Sequence, residues 1–257
     1  MDLAQTYELW RQLMTQGDAE WWQTLFVRFY QAFIEGDRWR QYLQGVGITL
    51  VATAVALAIG VVLGVLVAMI RTAHDQQRPG RPKNPVLGVV NAICKVYVTV
   101  IRGTPMLVQV LIMGMVIFAS SRNYTFVGAL TLGINSGAYV AEIIRGGLMS
   151  LDPGQMEAGR SLGLNYIDTM RFIVIPQAFK AILPSLGNEF IVLLKDTSMI
   201  SVIGGQELVY FAKNIVNRTF DAMFPLVGAA VIYLILVMIF TWLQGKLERR
   251  LRQSDRR

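Results

Sequence analysis

The sequence predicts an all-helical bundle embedded in a membrane, and three observations predict it. Of its 257 residues, 54% are hydrophobic and only 16% are charged, where an ordinary soluble domain carries about 25% charged residues. The apolar residues fall in long runs rather than periodic stripes, and a run of roughly 18 or more marks a transmembrane helix. The basic residues collect between the runs, where membrane topology places them. The net charge of +7 is therefore accounted for without nucleic acid, and no nucleic-acid partner is expected. One cysteine, Cys94, and one histidine, His74, allow no internal disulfide and supply no metal-ligand cluster. The first 20 residues carry acids and no apolar core, so no cleavable signal peptide is expected.

Residues 1–42 are too polar to span. Trp10, Trp21, Trp22, Phe26, Phe29, Phe33 and Trp39 recur among charges at helical spacing. This reads as an extracytoplasmic amphipathic interfacial segment or, equally, as one packed on the bundle edge. The transmembrane domain is expected over 43–245, with its first span at about 43–70. A basic, proline-punctuated loop follows over 71–85, with Arg71, Arg78, Arg81 and Lys83. Residues 86–119 are too few for two spans and a turn. One span at about 96–119 is expected there, behind an interfacial or broken lead-in helix. Thr104 before Pro105 has the form of an N-cap and first-turn pair, so a helix restarts at that point. A third span covers about 126–148. A fourth begins at Pro176 or Pro184 and covers about 177–203, and a fifth covers 224–243. Residues 204–223 suit an interfacial segment, and 246–257 form a basic tail.

Five spans place the termini on opposite sides. The 71–85 loop holds four Lys or Arg and the tail from Gly245 holds six, while residues 1–42 hold four basic and six acidic residues. Basic loops stay cytoplasmic, so the expected topology is N-out and C-in.

The cytoplasmic loop 149–175 is unusually polar. Asp152, Pro153 and Gln155 make an N-cap, a first-position proline and a capping-box partner, and Gly163 offers a C-cap. A short helix over 153–162, about 15 Å long, is expected. Asn165 and Asp168 start a second helix that runs into Ile173–Ile175 and ends near Pro176. On the residues alone this is either an ordinary interfacial loop or a dedicated cytoplasmic feature.

The stretch "EAGRSLGLNYIDTMRFIVIP" (157–176) resembles the EAA loop of permease subunits of bacterial ATP-binding cassette importers. It departs from that pattern at Gly159, which weakens the helix slightly, and at Ile175 in place of Leu. "YVTVIRGTPMLVQ" (97–109), "GAYVAEIIRGGL" (137–148) and "LLKDTSMISVIGGQEL" (193–208) are similar to the polar amino-acid uptake branch of that family. The four motifs follow one another in order within 43–245, and residues 1–40 fall outside. The resemblance implies a type I importer permease fold, with 157–163 as the coupling helix: Glu157, Ala158, Gly159, Arg160, Ser161, Leu162 and Gly163 would dock on a separate ATPase. It also implies a second permease subunit, identical or homologous, an extracytoplasmic solute-binding protein, and residence in the inner membrane. The chain has no G-x-x-x-x-G-K-[ST] loop, so ATP and Mg are expected in the partner ATPase and no cofactor or enzymatic activity in this chain.

Ionisable residues at membrane depth are functional candidates. Lys195 and Asp196 lie near the middle of the fourth span, followed by Thr197 and Ser198. They would suit the charged ends of a zwitterionic amino acid, or they neutralise each other. Asn135, Tyr139 and Glu142 share one face of the third span. Glu142 with Arg145 reads as a structural ion pair ahead of a gate. Thr104 and Gln109 are candidates if the helix restart presents N–H groups to a carboxylate, and Arg102 is a gate or an anchor. Glu189 has no assigned role. The rival reading is an ion channel or proton-coupled secondary carrier using Glu142, Lys195 and Asp196, for which five spans without two repeated halves are few.

Overall fold

The computed structural model describes residues 2–75, 77, 84–152 and 154–254. Arg78, Arg81 and Lys83 of the expected basic loop, Pro153, and residues 255–257 of the tail lie outside the described residues.

The chain opens with a helical hairpin. Helix α1 (Leu3–Gln16) is capped by Asp2 and closed by Gly17 in the left-handed region at φ 84°, and α2 (Trp21–Phe33) follows. The tryptophan-rich segment is thus two helices, and it does pack on the bundle: Val27 and Ala32 of α2 are buried. Helix α3 (Arg38–Asp75) has 38 residues, about 57 Å of helix, and so overruns the expected 43–70 at both ends.

Helix α4 (Pro85–Gly103) is capped by the Asn84 side chain, which accepts from the N–H groups of Val86 and Leu87. Helix α5 (Met106–Ile112) continues as a π-helical turn, Met113–Ile117. The helix does restart after the Thr–Pro pair, but one residue later than expected. Proline pushes its predecessor out of the helical region, so Thr104 is extended and ends α4, its hydroxyl donating back to the Val100 carbonyl at 2.9 Å. Pro105 takes the cap position of α5.

Helix α6 (Tyr124–Met149) is capped by Asn123. Helix α7 (Gly154–Ser161) and α8 (Tyr166–Thr169) are separated by Gly163 at φ 82°. Asn165 caps α8, accepting from the Asp168 N–H at 2.9 Å. The expected end near Pro176 is absent. The chain instead runs through a π-helical turn, Met170–Val174, straight into α9 (Ile175–Asp196). Pro176 sits in the first turn of α9, where a missing N–H costs little. Helix α9 tightens into a 3₁₀ stretch, Thr197–Ile203, followed by α10 (Leu208–Thr219) and α11 (Met223–Ser254).

Among the described residues four helical segments are long and apolar enough to cross a bilayer: Glu35–Asp75, Pro85–Gly103, Tyr124–Met149 and Met223–Leu251. Helix α6 is the axis of the bundle, packed against α3, α4, α5 and α9. Two GxxxG pairs bring α3 and α6 together, Gly60 with Gly64 and Gly133 with Gly137. A Cβ on Gly64 would lie 2.5 Å from Val140 Cγ1, and one on Gly133 would lie 2.7 Å from Ile59 Cβ. Small residues let backbones approach in lipid, where helix packing rests on close contact rather than on water exclusion.

Candidate functional site

Polar side chains gather around the middle of α6. On one side Asn135 donates to Gln109 Oε1 at 3.0 Å. Gln109 Nε2 donates to the Ile101 carbonyl (2.8 Å), the Thr104 carbonyl (3.2 Å) and Thr104 Oγ1 (2.8 Å). Gln109 therefore fastens the break between α4 and α5, and Asn135 fastens Gln109 to α6. Arg102, at the end of α4, lies over the Tyr139 ring at 5.2 Å. Asn135, Tyr139, Thr104, Gln109 and Arg102, singled out separately in the sequence, thus form one cluster. Thr104 serves the end of α4 rather than offering the N-terminus of α5 to a ligand.

On the adjoining side of α6, Ser136 donates to Glu189 Oε1 of α9 at 2.7 Å. Asp196 is close enough for its charge to be felt at Glu189. Both carboxylates are partly buried. Asn135 and Ser136 are consecutive, so the amide cluster and Glu189 meet α6 at nearly the same height, while Asp196 lies two turns, about 10 Å, further along α9. Sequence reading left Glu189 without a role and did not single out Ser136. The available signal was the seven-residue spacing of Glu189 and Asp196, which returns a helix to the same face.

The other candidates of the fourth span separate. Lys195 is exposed and makes no direct ion pair with Asp196 among the described residues, although its charge is felt there. Thr197 and Ser198 spend their hydroxyls on the carbonyls of Leu194 and Lys195, both at 2.7 Å. Those bonds tighten the chain into its 3₁₀ turn. Thr197 is buried and its hydroxyl lies 3.5 Å from that of Tyr233, on the α11 side rather than with the α6 cluster.

Glu142 is held between two arginines. Arg71 at the end of α3 bonds one carboxylate oxygen, and Arg145 Nη2 lies 3.3 Å from the other. The expected Glu142–Arg145 pair is present, but the pairing that links helices is with Arg71, read in the sequence only as a loop cation. Arg71, Lys95, Val98, Thr99, Arg102 and Glu142 line an open cavity of about 350 Å³. Three cations thus face one carboxylate there, which gives that side a net positive lining.

Glu207, which sequence reading did not single out, is fully buried between the 3₁₀ stretch and α10. It caps α10, accepting from the N–H groups of Val209 (2.8 Å) and Tyr210 (2.7 Å), and accepts from the Tyr233 hydroxyl of α11 at 2.9 Å. The neighbouring Leu208 N–H donates to Thr49 of α3 at 3.2 Å. Burial pushes the Glu207 carboxyl up to about 7, against the pull of its bonds to Val209, Tyr233 and Tyr210 and of the Lys213 charge. A carboxyl raised on folding stabilises the fold fully below its unfolded value and loses that contribution as pH rises through the folded one. Thermal stability should therefore fall between about pH 4.5 and 7, by roughly 3 kcal/mol from this group. Glu207→Gln should flatten that part of the profile relative to wild type. Parallel profiles for the two proteins would remove Glu207 as the cause.

Helix α7 falls where a short helix over 153–162 was expected, but Gln155, expected as a capping-box partner, spends its side-chain oxygen on α9. Asp152 Oδ1 accepts from the Gly154 N–H at 2.8 Å, and Gln155 accepts from Gln177 of α9 at 3.1 Å, so the glutamine ties α7 to α9. Leu164 N–H closes the turn on the Gly159 carbonyl at 3.1 Å. Glu157, Ala158, Arg160, Ser161, Leu162 and Gly163 are exposed, Leu162 at 79%. Gly159 alone points inward: a Cβ there would lie 2.5 Å from Thr169 Cγ2. A side chain at position 159 would collide with α8, so α7 can sit this close only with glycine there.

Known proteins share the sequence pattern and the fold. Residues 86–253 match the family model described as binding-protein-dependent transport system inner membrane component. The glutamine transport system permease protein GlnP of Escherichia coli (strain K12) is 36% identical over 214 residues, covering 82% of this chain and 92% of that protein. The arginine transport system permease protein ArtQ of Bacillus subtilis (strain 168) is 35% identical over 188 residues, covering 66% and 84%. The crystal structure of an amino acid ABC transporter with histidines superposes with a TM-score of 0.72 at 39% identity, over 82% of this chain and 94% of that one. An inward-facing structure of the MetNI methionine ABC transporter, 18% identical, shares the fold at a TM-score of 0.70 over 85% and 99% of the two chains. With its fold shared and about two thirds of its length matched by the family model, the chain belongs to the family of binding-protein-dependent transport system inner membrane components.

Proposed function

We propose that the chain is the permease subunit of an importer for a polar amino acid, with the solute recognised beside residues 135–139 of α6. The observation that carries this reading is Glu189, a partly buried carboxylate at the level of the Asn135–Gln109 amides, with partly buried Asp196 two turns further along the same face of α9. Carboxylates at that depth are costly unless a cation visits them, and an amino acid brings an ammonium or a cationic side chain. The positively lined cavity of Arg71, Lys95 and Arg102 suits its carboxylate. The relatives named for glutamine and arginine, and the solved structure with histidines, support a polar amino acid as solute.

In this reading five segments cross the inner membrane. The fifth is α9, whose Lys180, Glu189, Lys195 and Asp196 make it too polar to qualify on composition. The amino terminus is outside and the tail inside. Two permease subunits form the pathway, a binding protein delivers the solute, and separate ATPases bind ATP and Mg. Helix α7 carries their movement to α8 and α9 through the Gly159–Thr169 contact. The channel or carrier alternative is less favoured, because Glu142 is locked between Arg71 and Arg145.

Reversing the exposed charge at the docking surface tests the coupling. Glu157→Lys should leave the chain folded in the membrane while removing solute-stimulated ATP hydrolysis and uptake in the reconstituted complex. Unchanged ATPase docking and transport would reject α7 as the coupling helix. Uptake by the isolated chain in the absence of ATPase would reject the importer reading altogether.

A further inference from the structure

The amino-terminal hairpin lies outside the motifs that carry the family resemblance. Its two helices are joined by an aromatic core: Tyr7 stacks on Tyr30 with ring centroids 4.2 Å apart, and Trp10 meets Trp22 and Phe26 edge-on at 5.0 and 4.9 Å. The polar seam is also filled. The Tyr7 hydroxyl donates to Glu35 at 3.1 Å, and Arg38 pairs with Glu35 at 2.8 Å. The hairpin is therefore a folded unit rather than a tail, and it is fixed to the bundle. Phe33 packs on Tyr42 at the start of α3, with centroids 5.3 Å apart, and fills the space beside Gly228 near the start of α11. Helix α2 thus touches the beginnings of both α3 and α11, and α10 packs against each of them.

The two helices present opposite surfaces. The outward face of α1 is mainly polar, with Gln5, Glu8, Gln12 and Gln16 exposed around Leu9, which is also exposed. The outward face of α2 is apolar: Trp21 is 76% exposed, and Trp22, Leu25 and Phe29 are exposed beside it. These positions fall at i, i+1, i+4 and i+8, one side of a helix. Phe29 touches Phe224 of α11 edge-on at 6.1 Å. Beyond Phe224 the exposed row of α11 continues with Val227, Val231 and Leu234, on a strongly apolar helix with little of its surface buried. The apolar face of α2 therefore continues the lipid-facing surface of a membrane-crossing helix around the corner onto the membrane plane. Exposed Arg28, seven residues after Trp21, lies at the edge of the stripe, where a lipid phosphate would meet it.

We propose that the hairpin is a membrane-surface anchor, with Trp21, Trp22, Leu25 and Phe29 docked at the headgroup–acyl boundary of the leaflet in which α3 and α11 begin. Tryptophan favours that depth because its ring is apolar and its N–H is polar. The α1 face then stays in water, and the anchor holds the starts of α3 and α11 at the bilayer surface.

The test places a nitroxide at Leu25→Cys in the full-length chain, in vesicles of phosphatidylethanolamine and phosphatidylglycerol; the native Cys94 is buried. Collisions with oxygen should exceed those with a water-soluble nickel chelate at position 25, and the order should reverse at Gln12→Cys on α1. Equal nickel access at the two positions would put the α2 face in water and overturn the proposal. Shielding from both reagents would assign the face to a protein, a second copy or a binding partner, and would also overturn it. A second readout leaves the α2 apolar stripe nearly intact: with Trp10, Trp22, Trp39 and Trp242 replaced by Phe, lipids brominated near the top of their chains should remove most of the Trp21 emission. Unquenched emission at the wavelength of water-exposed tryptophan would contradict the anchor.

Discussion

Asp196→Asn should cut solute uptake by about thirtyfold, the equivalent of about 2 kcal/mol for the removal of one charge-assisted hydrogen bond in a partly buried site. The substitution keeps the size of the side chain and removes only its charge, so assembly with the partner subunits should be unaffected. Glu189→Gln should act in the same direction. Its amide can still accept from Ser136, so the bond between α6 and α9 survives while the negative charge is removed. If both carboxylates meet one cation of the solute, the double variant should lose less than the product of the two single losses, because groups sharing a partner are not additive. Initial uptake rates over a range of solute concentrations, with assembly checked by gel filtration, would measure this. Normal uptake by Asp196→Asn would remove that residue from the pathway. Multiplicative losses would mean that the two carboxylates act at different places.

The membrane bundle was legible because the lipid imposes it. Helices are the spanning solution available to a chain without strand alternation, and runs such as 43–70 and 224–243 carry no compensating polarity. Caps were legible for a local reason: Asp152, Gly163 and Asn165 act within four residues of themselves, and all three do what their positions foretell. Two boundaries escaped because they depend on how helices adjust rather than on where they stop. Thr104 looked like the start of a helix, yet the proline after it makes it the end of the one before. Pro176 looked like an end, yet the π-helical turn before it lets α8 and α9 run together. The site itself was half legible. Asn135, Tyr139, Gln109 and Arg102 were visible as polar residues in apolar runs, but their meeting depends on the break at Thr104–Pro105. Glu189 and Ser136 lie on different helices, 53 residues apart, and no local pattern joins them. The same holds for Glu207 and Tyr233, and for Arg71 and Glu142. Long-range polar partners are set by packing, and a single sequence records the packing only as faces.

Removing the carboxylate that bridges α3 and α6 should be the most damaging single change to the bundle. The Arg71 and Glu142 side chains keep only 14% and 22% of their exposure, so their charges are mostly shielded from water and depend on each other. Breaking a buried pair by deleting one partner costs about 3 to 5 kcal/mol, chiefly because the survivor is left uncompensated, and residual exposure puts this case near the lower figure. Glu142→Ala strands two cations, Arg71 and Arg145, whereas Arg71→Ala leaves Glu142 with Arg145 still 3.3 Å away. The glutamate variant should therefore be the less stable of the two. At roughly 2 to 4 °C per kcal/mol for a chain of this size, its thermal midpoint should fall by roughly 6 to 12 °C. Replacing both Arg71 and Glu142 by Met should cost less than Glu142→Ala, since one fewer unpaired charge remains in the membrane. Thermal midpoints of the three variants in one lipid or detergent would decide the matter. If the arginine deletion proved the worse, or if Glu142→Ala melted like wild type, the triad would have to be read as a solvated gate rather than as the brace between the two central helices.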